Sequence, residues 1–313
     1  MAIYVIGHKN PDTDATIAPI IYSYILKEKF NISATPILQG KPNKETYFVF
    51  KHFNIPMPEI ITNFDAQDKF YIVDTTNPEE LPDNIQDHEI LGIVDHHKLA
   101  GLKTSKPLFV FIEPLGSSVT VLLNLYEKLG GDINQMPTHI QQLALASIIS
   151  DTLNLTSPIT TEKDKQYVAI LSQILNINHN ELANQMFEAK SDVSDLSGLD
   201  IITYDAKAYT FNNILVQVAV FETVKPQAVL SKYDEIYKAL REFRKQNGFK
   251  HTLLFVIDII NQNAYYIRYC KRSDALIKKS FDVIEQTDTY YKIPGIVSRK
   301  KQIVPVLEKA LQA

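Results

Sequence analysis

Short apolar runs alternate with helical patterns along the first part of the chain. Runs rich in β-branched and aromatic side chains predict strands buried on both faces, as in a parallel sheet, over residues 3–6, 70–74, 90–95 and 109–112. Apolar positions three and four residues apart predict helices over residues 15–30, 119–129, 138–149, 161–175 and 180–189. This alternation is typical of βαβ units, so we expect an α/β domain with a mainly parallel sheet flanked by helices.

The pattern changes after a short polar segment at residues 189–194. Beyond it, long β runs are predicted over residues 214–221, 252–260 and 264–269. One helix is predicted near residues 232–246, so this part reads as a smaller α+β domain with a mixed sheet. We therefore predict an N-terminal domain, a linker or hinge and a C-terminal domain over residues 1–188, 189–194 and 195–313.

Metal-ligand side chains directly follow three of the predicted strands. The first strand leads into GHKNPDTD at residues 7–14, the second delivers Asp74, and the third leads into DHHK at residues 95–98. Ligand sites of open α/β sheets lie beyond the carboxyl ends of the strands, so we expect these side chains to meet at one edge of the sheet. Histidine and carboxylate together suit a divalent ion such as Mn²⁺, Co²⁺ or Zn²⁺.

Composition narrows the class of protein. The chain has 313 residues, of which 45% are hydrophobic, and this is enough for two domains with full cores. It has no apolar stretch near the roughly 20 residues that a membrane helix needs, and it enters a strand at once instead of a secretory signal. Its single cysteine, Cys270, cannot form an internal disulfide and is interpreted as a strand residue. We expect a cytoplasmic protein with no membrane partner.

The charge of the chain bears on its partners. A net charge of −4 argues against a general nucleic-acid-binding protein, and we expect no nucleic-acid partner. Residues 195–313 hold 18 Lys and Arg against 13 Asp and Glu, whereas residues 1–194 hold 14 against 23. An acidic half could hold cations and a basic half an anion, and a chance distribution of surface charge explains these sums equally well.

Five short motifs stand in a fixed order along the chain. They are GHKNPDTD at residues 7–14, Asp74, DHHK at 95–98, SDT at 150–152 and SRKKQ at 298–302. In this order the chain resembles the family II inorganic pyrophosphatases, the manganese-dependent cytoplasmic type within the DHH phosphoesterase superfamily. The resemblance implies hydrolysis of pyrophosphate to two phosphates, in a cleft between a metal-binding DHH domain and a DHHA2-like substrate-binding domain. It also implies a homodimer.

The metal site is implied by the resemblance residue by residue. It would hold two Mn²⁺ or Co²⁺ ions tightly in each subunit, with Mg²⁺ bound to the substrate. One ion would take His8, Asp12, Asp74 and Asp151. The other would take Asp14, Asp74, His96 and Asp151.

The substrate side of the site is implied in the same way. His97 would face the substrate instead of a metal, and Lys207, Arg299 and Lys300 would clamp the phosphates. Pyrophosphate is strongly anionic and charge grows on the leaving phosphate, so positive groups are needed around it. Arg299 suits bidentate contact with phosphate oxygens, while the two lysines act as point charges.

Two segments depart from the family pattern. Members usually carry His-Asn-Glu after the strand-end aspartate, where this chain has Thr75-Thr76-Asn77-Pro78. The stretch at residues 116–120 replaces a version that contains cysteine. Partners of metal ligands tune metal affinity, so both changes bear on metal preference and turnover. The remaining histidines lie in polar contexts and are expected at the surface: His52, His88, His139, His179 and His251.

Alternative functions stay open at this point. A short-chain exopolyphosphatase would use the same chemistry in the same cleft. A phosphodiesterase acting on oligonucleotides is disfavoured, because residues 195–313 contain only Gly198, Gly248 and Gly295 and lack the glycine-rich motif of that branch. A module that binds metal and phosphate without turnover is a non-enzymatic reading, motivated by the change after Asp74.

Overall fold

A computed structural model describes residues 1–104 and 106–312 of the chain. The chain divides into two compact units, the first spanning Met1–Ala189 and the second beginning at Lys190. Among the described residues, none of the helices is both long enough and apolar enough to cross a lipid bilayer.

The first unit is built around a five-stranded parallel sheet. Its strands are β1 (Ile3–Ile6), β2 (Thr35–Ile37), β3 (Lys69–Val73), β4 (Glu89–Asp95) and β5 (Phe109–Ile112). They lie in the order β2-β1-β3-β4-β5, and each neighbouring pair is parallel. The helices are α1 (Thr13–Phe30), α2 (Lys44–His52), α3 (Ser118–Lys128), α4 (Thr138–Asp151), α5 (Glu162–Leu175) and α6 (His179–Lys190). The predicted parallel sheet flanked by helices is confirmed.

The strand order places the predicted site. The strands β1, β3 and β4 are neighbours, so the three segments with metal-ligand side chains leave the same edge of the sheet side by side. Their inner residues are almost fully buried, as continuous apolar runs predict for a parallel sheet covered on both faces. Below this edge a core cluster that includes Ile6, Phe70 and Ile72 fixes the strands. The helix α1 packs against α3 and α4.

The second unit contains a six-stranded mixed sheet. Its strands are β6 (Ala206–Phe211), β7 (Ile214–Thr223), β8 (His251–Asp258), β9 (Asn263–Ile267), β10 (Glu285–Gln286) and β11 (Tyr290–Pro294). In the order β10-β11-β9-β8-β7-β6, the pair β7–β8 is parallel and the other pairs are antiparallel. Its helices are α7 (Gly198–Thr203), α8 (Pro226–Leu230), α9 (Tyr233–Gln246), α10 (Lys271–Ser280) and α11 (Val304–Gln312), with a π-helix over Arg299–Ile303. The predicted mixed sheet is confirmed.

Two expectations about single side chains are wrong. Cys270 lies after the end of β9, at the position directly before α10, with its Sγ 3.3 Å from Oγ of Ser273, so it is not a strand residue. His88 and His251 are buried, with 7% and 4% of their surface exposed, instead of lying at the surface. Each imidazole is accommodated by a hydrogen bond, from Nδ1 to the carbonyl of Asp68 in one case and to Ser273 Oγ in the other. The surface position was predicted from polar neighbours in the sequence. Such neighbours do not show how a side chain packs in the folded protein.

The burial of His251 predicts a pH dependence of stability. Burial, reinforced by the charges of nearby arginine and lysine side chains, lowers the pKa of His251 from 6.5 to about 4. As the pH falls through this interval the unfolded chain takes up a proton that folded His251 does not, so the free energy of unfolding falls. We expect His251→Gln to show a smaller loss of stability across the interval than the unsubstituted protein, measured by denaturant unfolding. His52→Gln, at an exposed histidine, is the control. Equal pH dependence in all three proteins would contradict this assignment.

Candidate metal centre

The loop after β1 supplies three of the predicted ligands. A side chain at Gly7 would place its Cβ only 2.4 Å from the carbonyl oxygen of Ala15, so glycine is required where the loop approaches α1. Asp12 caps α1 by accepting a hydrogen bond from the N–H of Ala15 at 3.0 Å. The Nε2 of His8 lies 3.7 Å from Oδ1 of Asp12. Asp14 is the second residue of the helix and is fully buried.

Asp74 occupies the centre of the site. It directly follows β3 with φ at 64°, in the left-handed region that few residues other than glycine, asparagine and aspartate adopt. Only 2% of the residue is exposed. Its Oδ2 lies 3.6 Å from Nε2 of His8, and its Oδ1 lies 3.4 Å from Nε2 of His96. The two oxygens of one carboxylate thus lie near two different imidazoles, an arrangement that suits a ligand shared by two ions.

The two histidines after β4 are held differently. The Nδ1 of His96 lies 3.0 Å from the carbonyl of Leu115, and this contact leaves Nε2 on the side of Asp74 and Asp151. A histidine that donates from one ring nitrogen presents the other as a metal ligand. The Nδ1 of His97 contacts Oδ1 of Asp95 at 2.9 Å, and 53% of its side chain is exposed. The hydrogen bond to Asp95 raises the pKa of His97, against the effect of partial burial.

Serine side chains that the sequence analysis did not identify hold the buried carboxylates. Oδ1 of Asp14 accepts hydrogen bonds from the hydroxyls of Ser117 and Ser147 at 2.8 and 2.6 Å. Its Oδ2 accepts from the backbone N–H of Ser118 at 2.6 Å, at the beginning of α3. The hydroxyl of Ser118 donates to Oδ1 of Asp74 at 2.8 Å. The segment that departs from the family pattern therefore anchors two of the implied ligands.

In the part of the chain that the structure describes, three groups of side chains place candidate ligand atoms within 4.8 Å of one another. One contains His8, Asp12 and Asp74; another contains Asp14, Asp74, His96 and Asp151; the third contains Asp74, His96 and His97. The first two correspond to the two implied ions, except that Asp151 groups with the second ion alone. Asp74 belongs to all three groups, and this shared membership agrees with its central position.

The electrostatics of the site favour bound cations. Burial raises the pKa of Asp74 well above its ordinary value, and the charges of Asp14 and Asp12 raise it further. The pKa of Asp151 is raised by burial and by the same carboxylates. Burial disfavours the charged form of His8, but the hydrogen bond and charges of neighbouring carboxylates outweigh it and raise its pKa to about 9. Divalent ions among these oxygens and imidazoles would relieve the repulsion, so the donor set fits a pair of metal ions.

A cavity of about 510 Å³ opens over these side chains. Its lining includes the predicted residues His8, Asp12, Asp74, His96, His97 and Asp151. It also includes Glu79 and Glu80, which the sequence analysis did not single out. Thr75 donates its hydroxyl to Oε2 of Glu80 at 2.7 Å, and the charge of Glu80 contributes to the raised pKa of His8. Thr75 thus holds in place a carboxylate that lines the cavity.

The predicted phosphate-binding residues belong to the second unit. Lys207 is the second residue of the edge strand β6 and is exposed. Arg299 and Lys300 begin the π-helix, an element often found at functional sites. Lys300 is exposed, whereas only 12% of the Arg299 side chain is accessible, and Arg299 forms an ion pair with Asp205.

Comparisons with known proteins agree with these features. Residues 2–148 match the model of the DHH family N-terminal domain, and residues 184–310 match the model of the DHHA2 domain. The chain shares its fold with an exopolyphosphatase-related protein from Bacteroides fragilis, with a TM-score of 0.52 at 12% identity over 99% of this chain and 92% of that one.

Closer relatives are named pyrophosphatases. The chain is 32% identical over 314 residues to a probable manganese-dependent inorganic pyrophosphatase from Streptococcus equi subsp. zooepidemicus, covering 99% of each protein. A putative family II inorganic pyrophosphatase from Methanococcus jannaschii has a crystal structure that matches at a TM-score of 0.65 and 32% identity, over 99% of this chain and 100% of that one. The resemblance seen in the motifs is confirmed, and the chain belongs to the family II, manganese-dependent inorganic pyrophosphatases.

Proposed function

We propose that this protein hydrolyses inorganic pyrophosphate to two phosphates with the help of two divalent ions, Mn²⁺ or Co²⁺. The observation that carries the proposal is the position of Asp74, a buried carboxylate with one oxygen near His8 and the other near His96. In addition, relatives of this protein are named manganese-dependent inorganic pyrophosphatases.

Each ion would be held by side chains already close together. His8, Asp12 and Asp74 would hold one, and Asp14, Asp74, His96 and Asp151 would hold the other. Divalent ions held by these residues would supply an activated water as nucleophile and would offset the charge of the substrate. Further Mg²⁺ would arrive with pyrophosphate.

The remaining residues would act on the substrate itself. His97, fixed by Asp95 and half exposed in the cavity, is suited to hydrogen-bond a phosphate oxygen and to hold or give up a proton there. Lys207, Arg299 and Lys300 would bind the outer oxygens and stabilise charge on the leaving phosphate.

We propose that the two units close over pyrophosphate and that residues 189–194 act as the hinge. Small-angle scattering with and without a non-hydrolysable analogue of pyrophosphate would test this proposal.

A substrate comparison tests the proposal against its alternatives. Phosphate release is measured from pyrophosphate, tripolyphosphate and a dinucleotide, each with Mn²⁺, Co²⁺ or Mg²⁺. We expect pyrophosphate to be the best substrate, with Mn²⁺ or Co²⁺ required in the tight sites. Faster release from tripolyphosphate would favour an exopolyphosphatase, cleavage of the dinucleotide a phosphodiesterase, and no turnover of any substrate a binding module.

We also propose that the enzyme is a cytoplasmic homodimer. The reducing cytoplasm suits a chain with a single cysteine. The dimer is supported by the strand β5, which lies at the edge of the parallel sheet. In this strand 47% of Phe109 and 48% of Val110 are exposed. An apolar edge strand is suited to pairing with a second copy. Sedimentation of the protein and of Phe109→Lys would test this assignment.

The serine that supports Asp74 gives a specific prediction. We expect Ser118→Ala to weaken Mn²⁺ binding by about 10- to 100-fold, because the hydroxyl that orients Asp74 is lost while the backbone contact to Asp14 remains. Turnover at saturating Mn²⁺ should change little. The matched control is Ser23→Ala in α1, a buried serine whose hydroxyl makes no hydrogen bond among the described residues. Equal Mn²⁺ affinity of the two variants would count against the orienting role of Ser118.

A further inference from the structure

The guanidinium of Arg299 is held by a single acidic residue of its own unit. One of its terminal nitrogens, Nη2, lies 2.8 Å from Oδ1 of Asp205. The other, Nη1, donates to the backbone carbonyl of Asp205 at 2.5 Å. Among the described residues, these contacts engage two of the five N–H donors of the guanidinium, and the other three have no hydrogen-bond partner.

Asp205 also belongs to the stretch of backbone that carries Lys207. Its carbonyl accepts a hydrogen bond from the N–H of Val220 in β7 at 3.0 Å, which continues the pairing of β6 and β7 by one residue. Asp205 directly precedes β6 and lies two residues before Lys207, so the two residues are close along the backbone. Asp205 thereby ties Arg299, which is distant in sequence, to the neighbourhood of Lys207.

The carboxylate of Glu222 is affected by the charges of both Asp205 and Arg299. Partial burial and the charge of Asp205 raise the pKa of Glu222 in β7, and the charge of Arg299 opposes the rise. Arg299 therefore sits among acidic side chains. Its orientation toward one of them is set by the hydrogen bonds to Asp205.

We propose that Asp205 is a positioning residue for Arg299 in pyrophosphate binding. It fixes the guanidinium beside the strand that carries Lys207 before the substrate arrives, with three N–H donors left for phosphate oxygens. An unrestrained arginine loses much rotamer freedom on binding, and fixing it in advance removes part of that cost. This inference rests on the proposed function, because it takes Arg299 to bind the substrate together with Lys207 and Lys300. We call these three residues the anion clamp.

If Asp205 instead competes with the substrate for Arg299, the expected change in KM is the opposite. If the carboxylate of Asp205 competed with phosphate for Arg299, its removal would lower KM. If it positions Arg299, its removal raises KM, and kcat falls as well because Arg299 also stabilises charge on the leaving phosphate. We expect Asp205→Ala to raise KM for pyrophosphate by about 10-fold, the effect of one hydrogen bond to a charged group. Asp205→Asn, which keeps the acceptor oxygen, should raise it by a smaller factor.

The experiment compares these variants with Asp288→Ala, which removes an exposed carboxylate of the same unit that has no ion pair among the described residues. All variants are first checked for unchanged thermal unfolding, and binding of imidodiphosphate by calorimetry is measured beside the kinetics. A rise in KM and a matching loss of imidodiphosphate affinity, seen for Asp205→Ala and absent for Asp288→Ala, is the expected result. A lowered or unchanged KM in Asp205→Ala would overturn the inference.

A double-mutant cycle separates this inference from the proposed function. Arg299→Ala alone should raise KM strongly, and adding Asp205→Ala to it should have no further effect. If Arg299→Ala leaves KM unchanged, the anion clamp of the proposed function is wrong. If Arg299→Ala raises KM and Asp205→Ala acts equally in both backgrounds, the clamp stands and the positioning role of Asp205 is wrong.

Discussion

Asp74→Asn should lower the rate of pyrophosphate hydrolysis by about 1000-fold or more. A ligand shared by two ions affects both when its charge is removed, and each factor of ten in rate corresponds to about 1.4 kcal/mol of transition-state stabilisation. Asparagine tolerates the positive φ of 64° at this position and still accepts the hydrogen bond from Ser118, so the backbone should be unchanged. Phosphate release and Mn²⁺ binding to the variant check the prediction.

The same substitution should make the metal-free protein more stable. The pKa of Asp74 is raised in the folded state, so its ionised form is disfavoured there at neutral pH and the neutral amide relieves the cost. We therefore expect a higher melting temperature without metal and a smaller gain on adding Mn²⁺. Asp65→Asn, at an exposed aspartate of the same unit, is the control. Normal Mn²⁺ stoichiometry and turnover in Asp74→Asn would refute the shared-ligand assignment.

His97→Gln should separate turnover from metal binding. A side chain that handles a proton or a phosphate oxygen contributes roughly 100-fold or more to rate, and we expect kcat to fall by that factor. Mn²⁺ binding should persist, because 53% of the His97 side chain is exposed and its Nδ1 is engaged by Asp95. Turnover and Mn²⁺ stoichiometry measured on the same preparation check both parts.

The contacts of His97 also define the result that would contradict this role. His97 shares one group of candidate ligand atoms with Asp74 and His96. Loss of one Mn²⁺ equivalent in His97→Gln would show that it is a ligand and that the roles of the two histidines are misassigned. His139→Gln, at an exposed histidine of the same unit, should change neither quantity.

The sequence predicted most of the sheet that carries the site. Continuous apolar runs identify buried parallel strands, and the strand-end positions of Asp74 and His96 follow from them. In the second unit, β6 was missed because it has no continuous apolar run: it lies at the edge of the sheet, and only its last residue, Phe211, is buried. For the same reason the position of Lys207 in a strand was not predicted.

The supporting contacts of the site could not be predicted in this way. Ser118 meets Asp74 from 44 residues away, and Asp205 meets Arg299 from 94 residues away. Such pairs depend on how helices and strands pack, and nothing local in the sequence marks them. Glu80 is similar, because its place in the cavity depends on the turn after Asp74 and on the hydroxyl of Thr75.

The most direct test of the two-ion site is a titration of the metal-free enzyme with Mn²⁺. Bound metal, phosphate release from pyrophosphate and the electron paramagnetic resonance spectrum are followed together. We expect activity to rise with the second equivalent, to saturate at two Mn²⁺ per chain and to be accompanied by the spectrum of a spin-coupled pair. Full activity with one Mn²⁺ per chain, or two uncoupled ions in the active enzyme, would contradict a pair of ions joined by Asp74.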